Sequence, residues 1–155
     1  MKQALISAFV AAALCGCAAI PEQAGKESKI AFDVTDGNPR VLLAKLAVID
    51  VTRKQLLDAG VTPKMVIAFR GDASYYTQTN LGLVKEADRA DALAVQAKLR
   101  ELRKANGVET LEQCNLPLEQ RKLKPADLLQ EVKLVPNGWI SLAAYQEKGY
   151  AYIVP

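Results

Sequence analysis

The sequence predicts a single α/β domain, a mostly parallel sheet of about five strands with helices on both faces. Three observations predict it. Short β-branched runs alternate with longer segments whose apolar residues recur at helical spacing, which is the signature of βαβ units. One run, PKMVIAF at residues 63–69, is continuously apolar, as a strand covered on both faces should be. The chain of 155 residues, 50% apolar and 24% charged, suits one globular domain.

Residues 29–34 (KIAFDV) form the first strand, closed by the turn residues Thr35, Asp36, Gly37, Asn38 and Pro39. A helix is expected over residues 40–59, with Leu42, Leu46, Ile49 and Leu56 on one face and Gly60 as its stop. After the strand at 63–69 comes a polar stretch, RGDASYYTQTN at 70–80, which reads as the longest irregular loop. A second helix over 86–106 turns Ala92, Val95, Leu99 and Leu102 inward and ends at Gly107. Residues 108–113 form a third strand with Cys114 at its end. Asn115 and Pro117 then suit the start of a short helix toward Arg121, and residues 125–129 suit another short helical piece. A fourth strand at 132–135, a helix at 139–148 capped by Asn137 and a last strand at 150–154 complete the domain.

Ahead of the domain, Lys2, an apolar run from Ala4 to Leu14 and the small residues that follow have the layout of a secretory signal. Leu14, Cys15, Gly16 and Cys17 resemble the end of a bacterial lipoprotein signal, which implies a lipidated Cys17, and Ala18 after it points to the outer membrane. Ordinary cleavage after Ala19 is the alternative. The division is thus a signal peptide at 1–16, a lipidated cysteine with a flexible tether at 17–28, and the domain at 29–155. The expected location is the periplasmic side of the envelope, with the membrane touched by the lipid anchor only. The tether, small and polar over 18–28, would reach about 35 Å if extended.

Composition excludes several chemistries. With no histidine there is no Ser/His/Asp triad, no Cys/His dyad and no imidazole metal ligand. The net charge of +3 gives no reason to expect nucleic acid. No glycine-rich phosphate motif surrounds Gly37 or Gly71, and neither a metal nor a cofactor is expected.

In a parallel sheet the ligand site lies beyond the carboxyl ends of the strands. That rule selects the loops at 35–39, 70–76, 114–117 and 136–139, and with them Asp36, Asn38, Arg70, Gly71, Asn137 and Trp139 as candidate binding residues. Arg70, Gly71 and Asp72 spell RGD, but a tight turn at Gly71 and an ion pair from Arg70 to a loop carboxylate such as Asp36 are the expectation. Asp33 and Asp36 do not share a face, so an acid/base pair is not expected of them. Asn137 should cap the last helix, with Trp139 packed on the sheet, and Tyr75 and Tyr76 should lie exposed on the long loop, covering the site or joining a subunit interface.

Read in order, residues 36–39, Leu-Leu-Asp-Ala-Gly at 56–60, Ala-Phe-Arg-Gly at 68–71, residues 107–114 and Val-Pro-Asn-Gly-Trp-Ile-Ser-Leu at 135–142 resemble the DsrE/DsrF-like family over the whole domain. The resemblance implies a DsrE-like fold with flavodoxin-like layering, assembly into homo- or hetero-oligomers and, in some members, sulfur carried as a cysteine persulfide. The position matching the sulfur-carrying cysteine is Cys114, and a basic residue farther on matches Arg121. Two features depart from the pattern: an export leader, where relay members are cytoplasmic, and Arg121-Lys122 where an Arg-Gly pair often stands.

Cys114 is the thiol left after export under this reading, and an unpaired thiol in an oxidising compartment is either buried or used. Sulfur transfer needs a thiolate, which cations and helix N-termini favour. Arg70 and the short helix beginning near Asn115 are the expected sources. The sequence therefore points to a sulfur carrier using Cys114, with a periplasmic donor or acceptor protein, rather than to a turnover enzyme. An oligomeric interaction module with an inert thiol, or a small-anion binder using Arg70 and Gly71, are the alternatives.

Overall fold

A computed structural model describes residues 26–155. The leader and lipidation expectations, Cys17 included, lie outside the described residues. The order of elements is β1 (Glu27–Val34), α1 (Pro39–Asp58), β2 (Thr62–Phe69), α2 (Arg89–Lys104), β3 (Val108–Cys114), α3 (Asn115–Gln120), β4 (Val132–Val135), α4 (Gly138–Glu147) and β5 (Ala151–Ile153). Strand β1 starts two residues before the expected domain boundary, because Glu27 and Ser28 pair with Thr62 and Pro63. No described helix is long and apolar enough to cross a membrane.

The sheet has five strands in the order β4-β3-β2-β1-β5, and every pairing is parallel. From β1 to β4 the chain steps toward one edge, so right-handed crossovers place α1 and α2 on one face. The connection from β4 to β5 runs back to the other edge, which puts α4 on the opposite face. Neighbours β3 and β4 therefore send their following connections to opposite faces. A crevice opens between their carboxyl ends.

The main core lies between the sheet and α1 with α2. Phe32, Val34, Ile67, Phe69 and Leu111 meet Leu42, Leu46, Leu99 and Leu102 there. Under α4 the core is small, with Ala31, Val66 and Ala68 against Leu142. Short strand residues let that helix sit close. Its first turn remains apolar and uncovered, with Trp139 at 66% and Ile140 at 69% exposure.

Three expectations need correction. The stretch after β2 is not an irregular loop: Gly71–Thr77 forms a 3₁₀ segment whose Ala73, Ser74, Tyr76 and Thr77 are buried. Gln113 fixes it, donating to Ser74 Oγ and accepting from Thr77 Oγ1, each over 2.8 Å. Helix α2 is shorter than expected, because Glu86–Asp88 is a separate 3₁₀ turn before it. Asn115 does not cap α3. Cys114 holds the capping position in extended conformation, while Asn115 donates to Glu119 over 2.6 Å.

Candidate functional site

Cys114 ends β3 on the face that carries α4. Two residues earlier on the same face, buried Glu112 accepts hydrogen bonds from Ser141 and, over 2.9 Å, from Tyr145. This anchors α4 to β3. The anchored helix starts with Asn137, whose side chain accepts from the Trp139 amide over 3.0 Å, and its first residue, Gly138, donates its backbone N–H to Cys114 Sγ over 3.1 Å. The helix terminus that reaches the thiol is thus α4 and not the short α3.

Gly138 is required by space. A Cβ there would lie 2.7 Å from Arg70 Cδ and 3.1 Å from Cys114 Cβ. Any side chain would have to displace Arg70 or α4.

Arg70 follows β2 and lies beside this helix start. Its expected partner Asp36 is replaced by Asp33, which is 2% exposed and accepts from Arg70 Nε over 2.8 Å and from Nη2 as well. Alternation on β1 explains the choice: Asp33 points to the α4 face with Ala31, where Arg70 also lies. Tyr152 on β5 donates to the same carboxylate over 2.6 Å. That hydrogen bond, with burial, raises the Tyr152 phenol above its usual range. The Arg70 guanidinium stands 5.1 Å from the centre of the Trp139 ring, so Trp139 is an exposed wall stacked on a cation rather than a residue packed on the sheet.

A cavity of about 230 Å³ opens at the crevice, lined by Arg70, Gly71, Cys114, Leu116, Pro117, Gln120, Arg121, Asn137 and Trp139. Six of the eight residues proposed from sequence for the thiol and its binding site meet here. Gly71 turns the chain with φ of +54°, against Thr35. Arg121 donates from Nε to Asp72 over 2.8 Å. Cys114 itself is 3% exposed, so its sulfur is reached through this cavity.

The other two proposed residues are elsewhere. Asp36 pairs with Lys45 of α1 over 2.8 Å, and Asn38 caps α1 by accepting from the amides of Arg40 and Val41. Both belong to the connection that leaves for the opposite face. Tyr76 is not exposed either: it is buried and donates to the Gly37 carbonyl, while Tyr75 is half-buried. Sequence reasoning missed Gly138, Asp33 and Gln120. Only Asp33 carried a signal, as a carboxylate inside an apolar strand.

Relatives agree with this architecture. An uncharacterised protein of Aquifex aeolicus is 26% identical over 125 residues, which cover 81% of this chain and 55% of that protein, so the chain spans about half the length of this relative. A solved structure of a protein of unknown function from Methanobacterium thermoautotrophicum has the same fold, with a TM-score of 0.63 at 17% identity, over 84% of this chain and 99% of the other. The profile of the DsrE/DsrF-like family matches residues 29–155, from the first strand to the last residue, and the chain belongs to that family, one associated with sulfur relay.

Proposed function

We propose that this protein is an exported, lipid-anchored sulfur carrier that holds sulfane sulfur as a persulfide on Cys114 and passes it to a partner in the periplasm. The observation that carries the reading is the Gly138 amide aimed at Cys114 Sγ on the wall of a small cavity. A donor N–H at a helix start favours a sulfur anion over a neutral thiol. Trp139, Leu116 and Pro117 make the surroundings apolar, which shields a persulfide from water.

The transfer is an exchange of one S–S bond for another. The Cys114 thiolate attacks the outer sulfur of a donor R–S–S–H, the donor S–S bond breaks with its electron pair on R–S⁻, and Cys114–S–S–H forms. No oxidant or reductant is consumed. Arg70 and Arg121 line the same cavity as Cys114, each held by a carboxylate. Export and lipidation at Cys17 rest on the leader pattern, and homo-oligomerisation on the family resemblance and the uncovered apolar first turn of α4.

The test uses the protein with Cys15 and Cys17 replaced by serine, so that Cys114 is the remaining cysteine. Exposure to polysulfide should add one sulfur by mass, removable by a reductant. A folded protein that gains no sulfur, and whose thiol resists iodoacetamide, would sink the carrier reading. The interaction module would then stand, a second reading favoured by the near-complete burial of Cys114.

A further inference from the structure

A second cavity, of about 300 Å³, lies beside Asp72, the ion-pair partner of Arg121. Its lining includes Asp72, Tyr75, Tyr76, Lys85 and Asp88. The two cavities adjoin at one ion pair: Arg121 lines the thiol cavity, Asp72 lines the second, and Arg121 Nη2 stands 2.7 Å from Asp72 Oδ1. The guanidinium also lies 6.0 Å from the centre of the Tyr75 ring, which lines the second cavity. The thiol cavity alone falls below the range of about 300–1,000 Å³ usual for small-molecule sites, whereas the pair falls within it.

Charge decides what the pair would accept. Asp33 neutralises Arg70 and Asp72 neutralises Arg121, so the thiol cavity has no excess of positive charge to hold a small dianion. In the second cavity Lys85 and Asp88 are both without an ion pair among the described residues, although Glu86 and Arg89 between and beside them pair with each other. Asp88 makes no capping bond to α2. With Asp72 held by Arg121, the second cavity offers one unpaired cation, one unpaired anion and two phenol rings, a set complementary to a zwitterion.

We propose that the two cavities form one cleft for a short, zwitterionic peptide thiol, with its sulfur beside Cys114 and its charged end between Lys85 and Asp88. This rests on the carrier reading above and names the donor R–S–S–H of that exchange. The ammonium meets Asp88 and the tyrosine faces, and a carboxylate meets Lys85. Arg121 swings from Asp72 to join the two halves, which leaves Asp72 beside Asp88 for the ammonium and Arg121 beside Lys85 for carboxylates; both partners are partly exposed, at 21% and 56%.

The test measures formation of a mixed disulfide on Cys114, by mass, in the protein with Cys15 and Cys17 replaced by serine. The probes are glutathione disulfide, cystine, neutral bis(2-hydroxyethyl) disulfide, cationic cystamine and anionic dithiodiglycolate. In each case the thiolate displaces one R–S⁻ and retains the other half. Glutathione disulfide should react about tenfold faster than the neutral probe, an advantage of about 1.4 kcal/mol. With each rate divided by that of a free model thiol on the same disulfide, cystine, whose charges sit beside its sulfur, should react at the neutral rate. Lys85→Gln with Asp88→Asn should abolish the glutathione advantage, so that glutathione disulfide and the neutral probe react at one rate. If the neutral, anionic, cationic or cystine probe is fastest, the cleft assignment is overturned while the carrier reading stands. A thiol inert to every probe and to polysulfide overturns both.

Discussion

The amide of Gly138 and the sulfur of Cys114, 24 residues apart in sequence, are joined by a 3.1 Å hydrogen bond across the crevice between β3 and β4. The bond exists because the parallel order sends α4 back over the sheet and because a glycine lets that helix start between Arg70 and Cys114. Gly138→Ala should force a shift of Arg70 or of α4. The expected cost is about 1–3 kcal/mol of stability, typical of an overpacked core site. Loss of a hydrogen bond of about 1 kcal/mol should slow alkylation of Cys114 by iodoacetamide about fivefold. An unchanged alkylation rate in the folded variant would show that the amide does not activate the thiol.

Asp33 is the anchor of Arg70, and the two are largely removed from water. Asp33→Asn leaves a guanidinium without its counter-ion and should cost about 3 kcal/mol in urea unfolding. Tyr152→Phe removes one hydrogen bond to the same carboxylate and should cost about 1 kcal/mol. The chain has one tryptophan, which stacks on Arg70, so emission from Trp139 should shift in Asp33→Asn before any unfolding. Equal costs for the two variants would remove Asp33 from its place as the anchor.

Lys122 follows α3 with φ of +56°, a left-handed conformation that disfavours a side chain bearing Cβ. Lys122→Gly should raise stability by about 0.5–1 kcal/mol, since relief of backbone strain exceeds the entropy that glycine adds to the unfolded chain. A lower midpoint of thermal unfolding would contradict this.

These relationships show where sequence was enough. The apolar run at 63–69 is legible because a buried parallel strand needs continuous apolar side chains, the edge strand at 132–135 shows only through its two buried valines, and the site edge follows from parallel order alone. Residues 70–80 were illegible because their burial is imposed from outside: Gln113, on another strand, supplies the hydrogen bonds that let Ser74 and Thr77 go inside. Asp36 looked like the partner of Arg70 because both flank a strand end, but Lys45, nine residues along on α1, reaches it instead. The place of Gly138 depends on two residues far away in sequence, so no local pattern announces it.

Helix α4 reads GWISLAAYQE; its last turn exposes Gln146 and Glu147, but its first turn exposes Trp139 and Ile140, which no described element covers. Two large apolar side chains side by side on an exposed turn suit an interface between chains. Sedimentation velocity should therefore show a species larger than one chain, and Ile140→Asp should return it to the monomer at the same concentration. A monomeric parent protein would contradict the oligomeric expectation.

Asp50 on α1 is the centre of the tie between the two long helices, since it accepts from Arg53, Lys54 and, on α2, Lys98, the last two over 2.9 Å. Burial alone would raise its carboxyl, but the hydrogen bonds from Lys54, Lys98 and Arg53 outweigh it and hold the group well below the carboxylate range. A depressed folded value means that stability from this group is fully present above the unfolded value of about 3.9 and is lost as pH falls through the folded one. Asp50→Asn should cost about 3 kcal/mol at pH 7, leaving three cations without their shared anion. The difference between parent and variant should stay constant from pH 7 to about 5 and shrink below about 4 as the carboxylate of the unfolded chain takes up its proton. Urea midpoints at a series of pH values would check this, and a gap that widens in acid would assign the stabilisation to something other than the charge on Asp50.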